Sequence, residues 1–258
     1  MDHKDVTKGG ASVPALRRAV AILDHLSETS EELTAADLCR ALKIPKSTAH
    51  GLLQAMEELG LVIRDPAGRL GIGPRPMRWS SRFLAKSDLV SAFRQHFDRD
   101  ARLSGYTITL TVLEETEVVY VACSNSSQPL GVTFRIGMRL PAAFTATGKA
   151  QLAALPEAEV AARFAGGFPA PLTRYSVRDL AALRAGLDRD RARGFSVDDG
   201  ETREGMTCLG APVRNHEGRV VAGLALSLTR SEATAEKVEE LGAQLRSAAD
   251  GISALIGG

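Results

Sequence analysis

Cysteine is scarce. Cys39, Cys123 and Cys208 are the only three in 258 residues, and none stands in a CxxC pair, so neither a disulfide framework nor a zinc cluster is indicated. The five histidines, His3, His25, His50, His96 and His216, share no metal-ligand spacing, and no metal is expected. No apolar run approaches the roughly 20 residues that span a bilayer. The opening MDHKDVTKGGAS is polar and lacks the apolar stretch of a secretory leader. Residues 1–12 are therefore expected to be a disordered tail, and the protein to be cytoplasmic with no membrane partner. An excess of one charge is missing too: 32 Lys+Arg stand against 31 Asp+Glu, a net charge of +1. The acidic run Asp198, Asp199, Glu201 and Glu204 has no visible partner for acid–base chemistry, and a solvated loop is its default interpretation. Gly148-Lys149 fails the phosphate-loop pattern on both sides, with Ala143 before it and Ala150 after. No enzymatic activity and no cofactor are expected. With 44% hydrophobic and 24% charged residues the chain can bury sizeable cores, and its length suits two domains.

What is present concentrates in residues 34–73. Thr34 to Leu42 has helical spacing, with Thr34 and Asp37 placed as a capping box in which the hydroxyl takes an orphan amide of the first turn. Lys43-Ile44 forms a tight turn. A second helix is predicted from Pro45, which suits a first helical position, to Gly60, which supplies a left-handed stop. Its buried face is Ala49, Leu52, Leu53, Met56 and Leu59, at spacings of three and four. Lys46, Ser47, His50, Gly51 and Gln54 lie off that stripe, with Thr48 beside them near the helix start. Leu61-Val62-Ile63 and Leu70-Gly71-Ile72 flank the turn Asp65-Pro66-Ala67-Gly68, a hairpin with Arg64 and Arg69 at its tip.

This layout is a winged helix-turn-helix, which points to double-stranded DNA. Short donors at the start of the second helix suit a phosphate, favoured there by the helix dipole. Longer side chains on the same face reach base edges in the major groove, and the wing arginines suit phosphates or the minor groove. Helix-turn-helix geometry also occurs in proteins that never touch DNA, so charge matters. From Leu38 to Lys86 there are nine basic residues (Arg40, Lys43, Lys46, Arg64, Arg69, Arg75, Arg78, Arg82, Lys86) against three acids (Glu57, Glu58, Asp65). That is a local basic patch in a chain of nearly balanced charge.

Around this segment the pattern predicts an α+β protein in four parts: the tail 1–12, a winged helix-turn-helix domain 13–74, a linker helix 75–87, and an antiparallel-sheet domain 88–258. A helix from Pro14 to Ser27 carries Leu16, Ala19, Val20, Leu23 and Leu26 on one side. Helical stretches follow at Met77–Ala85 and Asp88–Leu103, and Trp79 with Phe83 suits a dimer seam or packing face better than a base-stacking platform. Past Gly105 the period switches to two: strands are predicted at Tyr106–Leu113, Glu117–Ala122, Pro129–Arg135, Met206–Arg214 and Arg219–Leu228. Helices are expected at Thr147–Leu155, Glu157–Phe164, Val177–Arg193 and Ser231–Leu255. Strands gathered into one sheet with helices before and after indicate an α+β fold.

Several blocks in this order resemble the IclR family of bacterial transcriptional regulators. They are Ile44-Pro45-Lys46-Ser47-Thr48, Leu52-Leu53 and Gly60; the wing closing on Leu70-Gly71-Ile72-Gly73; GMRLPAAFTATGKAQLA (Gly137 to Ala153); and RARGFSVDDGETREGMTCLGAPV (Arg191 to Val213). The resemblance runs from about Val13 to Leu255. It implies a GAF-like effector-binding domain after the linker helix, a homodimer or tetramer on a pseudo-palindromic operator, and a small carboxylate effector. It places that effector on the backbone amides of Ala146 and Thr147, with Asp198, Cys208 and Ser227 facing them, and with Phe144 and Met206 near enough to line the site. Two departures stand out. Gly51 replaces a frequent Arg, a common guanine reader, which leaves the operator sequence open. Ala225 replaces a Ser, which argues for a larger or less polar ligand than a two- or three-carbon keto acid. Burial alone accounts for Cys208 as well as a ligand role does, since free Cys is commonly buried. A ligand sensor acting through protein contacts is the alternative, and the basic patch is what it would not need.

Overall fold

Residues 13–29, 32–85, 88–126 and 134–256 are described in the computed structural model of the chain. They divide into two units, Met1–Phe83 and Leu84–Gly258. The expected tail 1–12 and the junction at Ser87 lie outside the described residues. So does most of the strand expected at Pro129–Arg135; Phe134 and Arg135 are described and are not in a strand.

The first unit runs α1 (Pro14–Glu28), β1 (Leu33–Thr34), α2 (Ala35–Ala41), α3 (Lys46–Glu58), β2 (Val62–Arg64) and β3 (Arg69–Ile72). The capping box at the start of α2 is formed: Thr34 Oγ1 accepts from the Asp37 amide (3.4 Å), and the Asp37 carboxylate accepts from the Thr34 amide (2.9 Å). Ile22, Leu38, Leu53, Met56 and Val62 close the core between the three helices and the wing. Three details differ from the sequence pattern. Pro45 caps α3 rather than opening it, its carbonyl accepting from Ala49 (2.9 Å). Leu59 stands just past the helix end and is exposed, as are Leu16 and Val20 on α1, where Ile22 and Leu26 point inward instead. The short β1 pairs with β3, Leu33 opposite Leu70, and makes the wing three-stranded.

The helix α4 (Arg75–Ala85) follows, and the second unit opens with α5 (Asp88–Arg99). Then come β4 (Thr107–Glu114), β5 (Glu117–Ser124), β6 (Arg139–Pro141), α6 (Ala146–Ala153), α7 (Glu157–Arg163), α8 (Leu180–Arg193), β7 (Ser196–Asp199), β8 (Met206–Arg214), β9 (Val220–Thr229) and α9 (Ala235–Ile256). α8 starts three residues later than expected because the Asp179 side chain takes the Ala182 amide (2.8 Å) and so fixes the helix start.

The strands form one antiparallel sheet in the order β6-β5-β4-β9-β8-β7, and its register sorts the side chains by face. Asp198 lies opposite Cys208, Cys208 opposite Ser227, and Ser227 opposite Thr107; two residues along, Ser196, Gly210, Ala225 and Thr109 make a second row. This face is small and polar. The other face carries Ile108, Leu110, Leu209, Ala211, Leu224 and Leu226, which pack with Phe93 of α5 and Leu241, Leu245 and Ile252 of α9. The apolar face makes one core of this unit; a second, with Val118, Phe144, Leu152, Leu183 and Leu187, includes Cys208 and Ala225 of the opposite face, whose small polar rows leave room for a site.

Candidate functional site

On the first unit, α3 presents Lys46, Ser47, His50, Gly51 and Gln54 to solvent, with Thr48 half-buried. The turn before it is tight because Lys43 takes the left-handed conformation (φ 52°) and Ile44 donates to the Cys39 carbonyl (3.1 Å). The wing arginines are paired within the unit: Arg64 with Glu57 (2.6 Å), Arg69 with Asp65 (2.6 Å) and with Glu32. Exposed pairs of this kind contribute only about 0–1 kcal/mol each, so a phosphate can displace the acid. Within the basic patch Lys43, Lys46, Arg75 and Arg78 stand without an ion pair among the described residues. Arg82 and Lys86 lie outside the described side chains.

On the second unit, the polar face of the sheet is covered by α6. Gly210 and Gly223 make that possible: a Cβ on Gly210 would meet the Ala146 carbonyl oxygen at 2.3 Å, and one on Gly223 the Thr147 oxygen at 2.5 Å. The helix therefore rests on the strands backbone to backbone, and Ser196 Oγ ties it down by donating to the Ala146 carbonyl (2.6 Å). Thr145 caps α6, accepting from the Gly148 amide (3.1 Å), and Lys149 bonds its own helix at the Thr145 carbonyl. The Lys149 bond is the first of the helix proper, and the cap satisfies one of the four amides that a helix start leaves unpaired; those of Ala146 and Thr147 have no partner among the described residues. They open on a cavity lined by Thr109, Tyr120, Thr147, Asp198, Cys208 and Ser227, with Met206 and Ala225 also on its wall. Its space is about what one water molecule needs.

The wall is unusual in its polar groups. Thr147 Oγ1 is buried without any hydrogen-bond partner. Cys208 Sγ and Ser227 Oγ are 3.2 Å apart. Asp198 is 1% exposed; its Oδ1 accepts from the amides of Glu201 (2.6 Å) and Thr202 (3.2 Å), which folds the chain after β7 back over the cavity. Thr202 closes this cover by donating to the Phe144 carbonyl (3.2 Å). Burial pushes the Asp198 carboxyl up to about 6, against the opposing pull of Lys149. Burial and the nearby Asp198 likewise push the Cys208 thiol well above its usual range. Lys149 reaches from α6 to the Val197 carbonyl (2.6 Å) and to the buried Glu201 carboxylate.

The acidic run after α8 is thus solvated only in part: Asp199 and Glu204 are exposed, whereas Asp198 and Glu201 are buried. Asp198 belongs to strand β7 and is buried because its carboxylate caps the turn that covers the cavity. Ala146, Thr147, Asp198, Cys208, Ser227 and Met206 come together as the resemblance implied. Phe144 does not line the cavity; its ring packs against Phe168 (6.1 Å between centroids) and only its carbonyl reaches the cover. Nor did losing a serine at Ala225 make the site apolar, because Thr109 and Tyr120 bring hydroxyls from two other strands. Tyr120, stacked on Phe134 at 5.3 Å, escaped the sequence reading: within EVVYVA it has the spacing of an ordinary inward-facing strand residue.

A DNA-reading helix pair with a wing, followed on the same chain by a sheet domain that holds a small polar cavity, defines a ligand-responsive DNA-binding regulator. Residues 15–66 match the IclR helix-turn-helix domain and residues 81–254 the bacterial transcriptional regulator IclR C-terminal family. The chain belongs to the IclR family of bacterial transcriptional regulators. It is 31% identical to the transcriptional regulator KdgR of Escherichia coli over 258 residues, covering all of this chain and 98% of that one. Among solved structures it resembles the Agrobacterium tumefaciens repressor BlcR (51% identity, TM-score 0.64, 96% of this chain and 99% of that). It also resembles an IclR homolog from Microbacterium hydrocarbonoxydans complexed with 4-hydroxybenzoate (25% identity, TM-score 0.79, 94% and 98%). No helix among the described residues is long and apolar enough to cross a membrane.

Proposed function

We propose that α3 reads a pseudo-palindromic operator as part of a homodimer or a tetramer, and that a small carboxylic acid held at the start of α6 controls this reading. The observation that carries the effector assignment is the pair of unpartnered amides of Ala146 and Thr147 beside the orphan Thr147 hydroxyl, in a cavity facing Asp198, Cys208 and Ser227. Helix-start amides favour an anion through both their hydrogen-bond geometry and the dipole. Buried polar groups without partners are costly, and a ligand carboxylate satisfies three at once. Because the cavity has room for only about one water, its wall must move to admit any acid, and a small acid demands less of it than a bulky one. The 4-hydroxybenzoate complex of the Microbacterium homolog supports a carboxylate as the ligand class.

The test is a gel-shift titration of the chain's own promoter region, with and without a panel of aliphatic and aromatic acids. Saturable binding that falls steeply with salt and changes in the presence of one acid is expected. No shift of any promoter fragment at low salt would sink the proposal. Within the DNA interface, Lys46→Ala is expected to weaken every operator variant alike and to lower the salt slope by about 1. A substitution at His50, which lies further along the exposed face of α3, is expected to alter the preferred sequence instead. Equal effects of both on every variant would contradict that division of roles.

A further inference from the structure

The buried charges around the cavity do not balance for an anionic ligand. Among the described residues Lys149 is the one cation that acts on Asp198, and it is already engaged with Glu201 and the Val197 carbonyl. Glu201, on the covering turn, adds a second negative charge beside Asp198. From β8 and β5 the facing groups are the Cys208 thiol and the Tyr120 phenol, both held protonated and neutral by burial. From α8, Asp190 faces Lys149 but is paired with Arg193 (2.6 Å). The cluster of Lys149, Glu201 and ionised Asp198 therefore carries one net negative charge before any ligand enters. An effector carboxylate on the Ala146 and Thr147 amides places a second negative charge in the same small space. Two carboxylates in one water-poor site cannot both stay ionised; one of them takes a proton.

We propose that the effector site binds its acid together with one proton, and that Asp198 is the residue that holds it. This rests on the assignment of the cavity as a carboxylate site. The α6 amides donate only and so favour the ionised form of the ligand, whereas the two backbone amides that bond Asp198 share Oδ1, which leaves its other oxygen, with the Thr202 hydroxyl as the one side-chain donor beside the carboxyl among the described residues, to carry a hydrogen. Protonated Asp198 then donates toward the ligand or toward Ser227, while its Oδ1 goes on accepting from Glu201 and Thr202. Without ligand this carboxyl ionises near pH 6, so around neutral pH it is charged in the free protein and must take up its proton on binding. The sign follows directly. Affinity is greatest below the free value and falls about tenfold per pH unit above it, as linkage of one proton requires.

The experiment is calorimetric titration of the full chain with pyruvate, propionate and 4-hydroxybenzoate, in two buffers of different ionisation enthalpy, at about pH 6 and about pH 8. At the higher pH the heats should differ between buffers by the equivalent of nearly one proton taken up, and the dissociation constant should be roughly 50-fold larger than at about pH 6. Asp198→Asn keeps an oxygen acceptor for the two amides of the covering turn. It should bind the same acids with no proton uptake and little change with pH. Binding by wild type without proton uptake overturns the proposal and leaves the carboxylate site standing. Equal uptake in Asp198→Asn overturns the assignment to Asp198. Failure of every acid to bind overturns the carboxylate site and the proposal with it.

Discussion

Placing an alanine at Gly210 is expected to unfold or rearrange the effector unit. The added methyl would sit 2.3 Å from the Ala146 carbonyl oxygen, 2.5 Å from its carbon and 2.5 Å from Ser196 Oγ. Two of those atoms are backbone, so no rotamer change relieves the clash. α6 must lift off β8, which breaks the Ser196 hydrogen bond and opens the cavity. Overpacking in a core costs about 1–3 kcal/mol when side chains can adjust; with backbone as the obstacle the loss should reach or exceed the top of that range. Differential scanning calorimetry of wild type and Gly210→Ala is the direct measurement. Gly51→Ala is the control: it lies in the exposed helix α3 with nothing within 4 Å. It should be neutral or stabilising by about 0.5–1 kcal/mol, since glycine in a helix interior costs roughly that much. A Gly210→Ala protein that melts like wild type would show that α6 does not rest on the sheet as described.

Lys149→Met should be nearly as damaging. The substitution leaves the Glu201 carboxylate buried without its cation and the Val197 carbonyl without its donor. Removing one partner of a buried ion pair costs about 3–5 kcal/mol, chiefly because the remaining charge stays desolvated. The double variant Lys149→Met/Glu201→Leu should recover much of that loss, because two apolar groups replace a pair whose own net contribution is small. Denaturant unfolding of the two single variants and the double one closes the cycle. If both single variants cost less than about 1 kcal/mol, the pair is solvated and the covering turn is open in solution.

Asp198 adds a pH dependence of its own. Its folded value, about 6, lies above the ordinary carboxylate value of 3.8. Its contribution to stability is therefore fully present below that ordinary value and is lost as pH rises through about 6. Unfolding measured between these limits should show the effector unit weakening as pH rises, and Asp198→Asn should flatten this part of the profile. A profile unchanged by the substitution would place the proton elsewhere.

Much of this was legible in the residues, for identifiable reasons. The capping box at Thr34 and Asp37 is a local hydrogen-bond pattern that needs no tertiary context, and it formed as spaced. Strand β8 runs from Met206 to Arg214, the limits its composition implies. Strand β7 was hidden because SVDD reads as charge in solvent, whereas Asp198 is buried to bond two amides that only the folded turn supplies. Apolar residues lie on both sides of α1, so the spacing of Leu16 and Val20 pointed to the wrong stripe; Ile22 and Leu26 are the core residues. The cavity itself depends on the register that sets Asp198, Cys208, Ser227 and Thr107 in one row across four strands, a relation between distant segments that no local spacing records.

The seat of α6 on Gly210 and Gly223 has a mechanical consequence. Side chains between a helix and a sheet act as a compliant layer, since their torsions can absorb a small push. Here that layer is missing: peptide groups of α6 touch peptide groups of β8 and β9. A ligand that displaces the first turn of α6 by a fraction of an ångström moves those strands with it. The same strands carry Leu209, Leu224 and Leu226 on their reverse side, against α5 and α9. The packing thus links the proposed ligand site on one side of the sheet to α5 and α9 on the other without a flexible layer at α6.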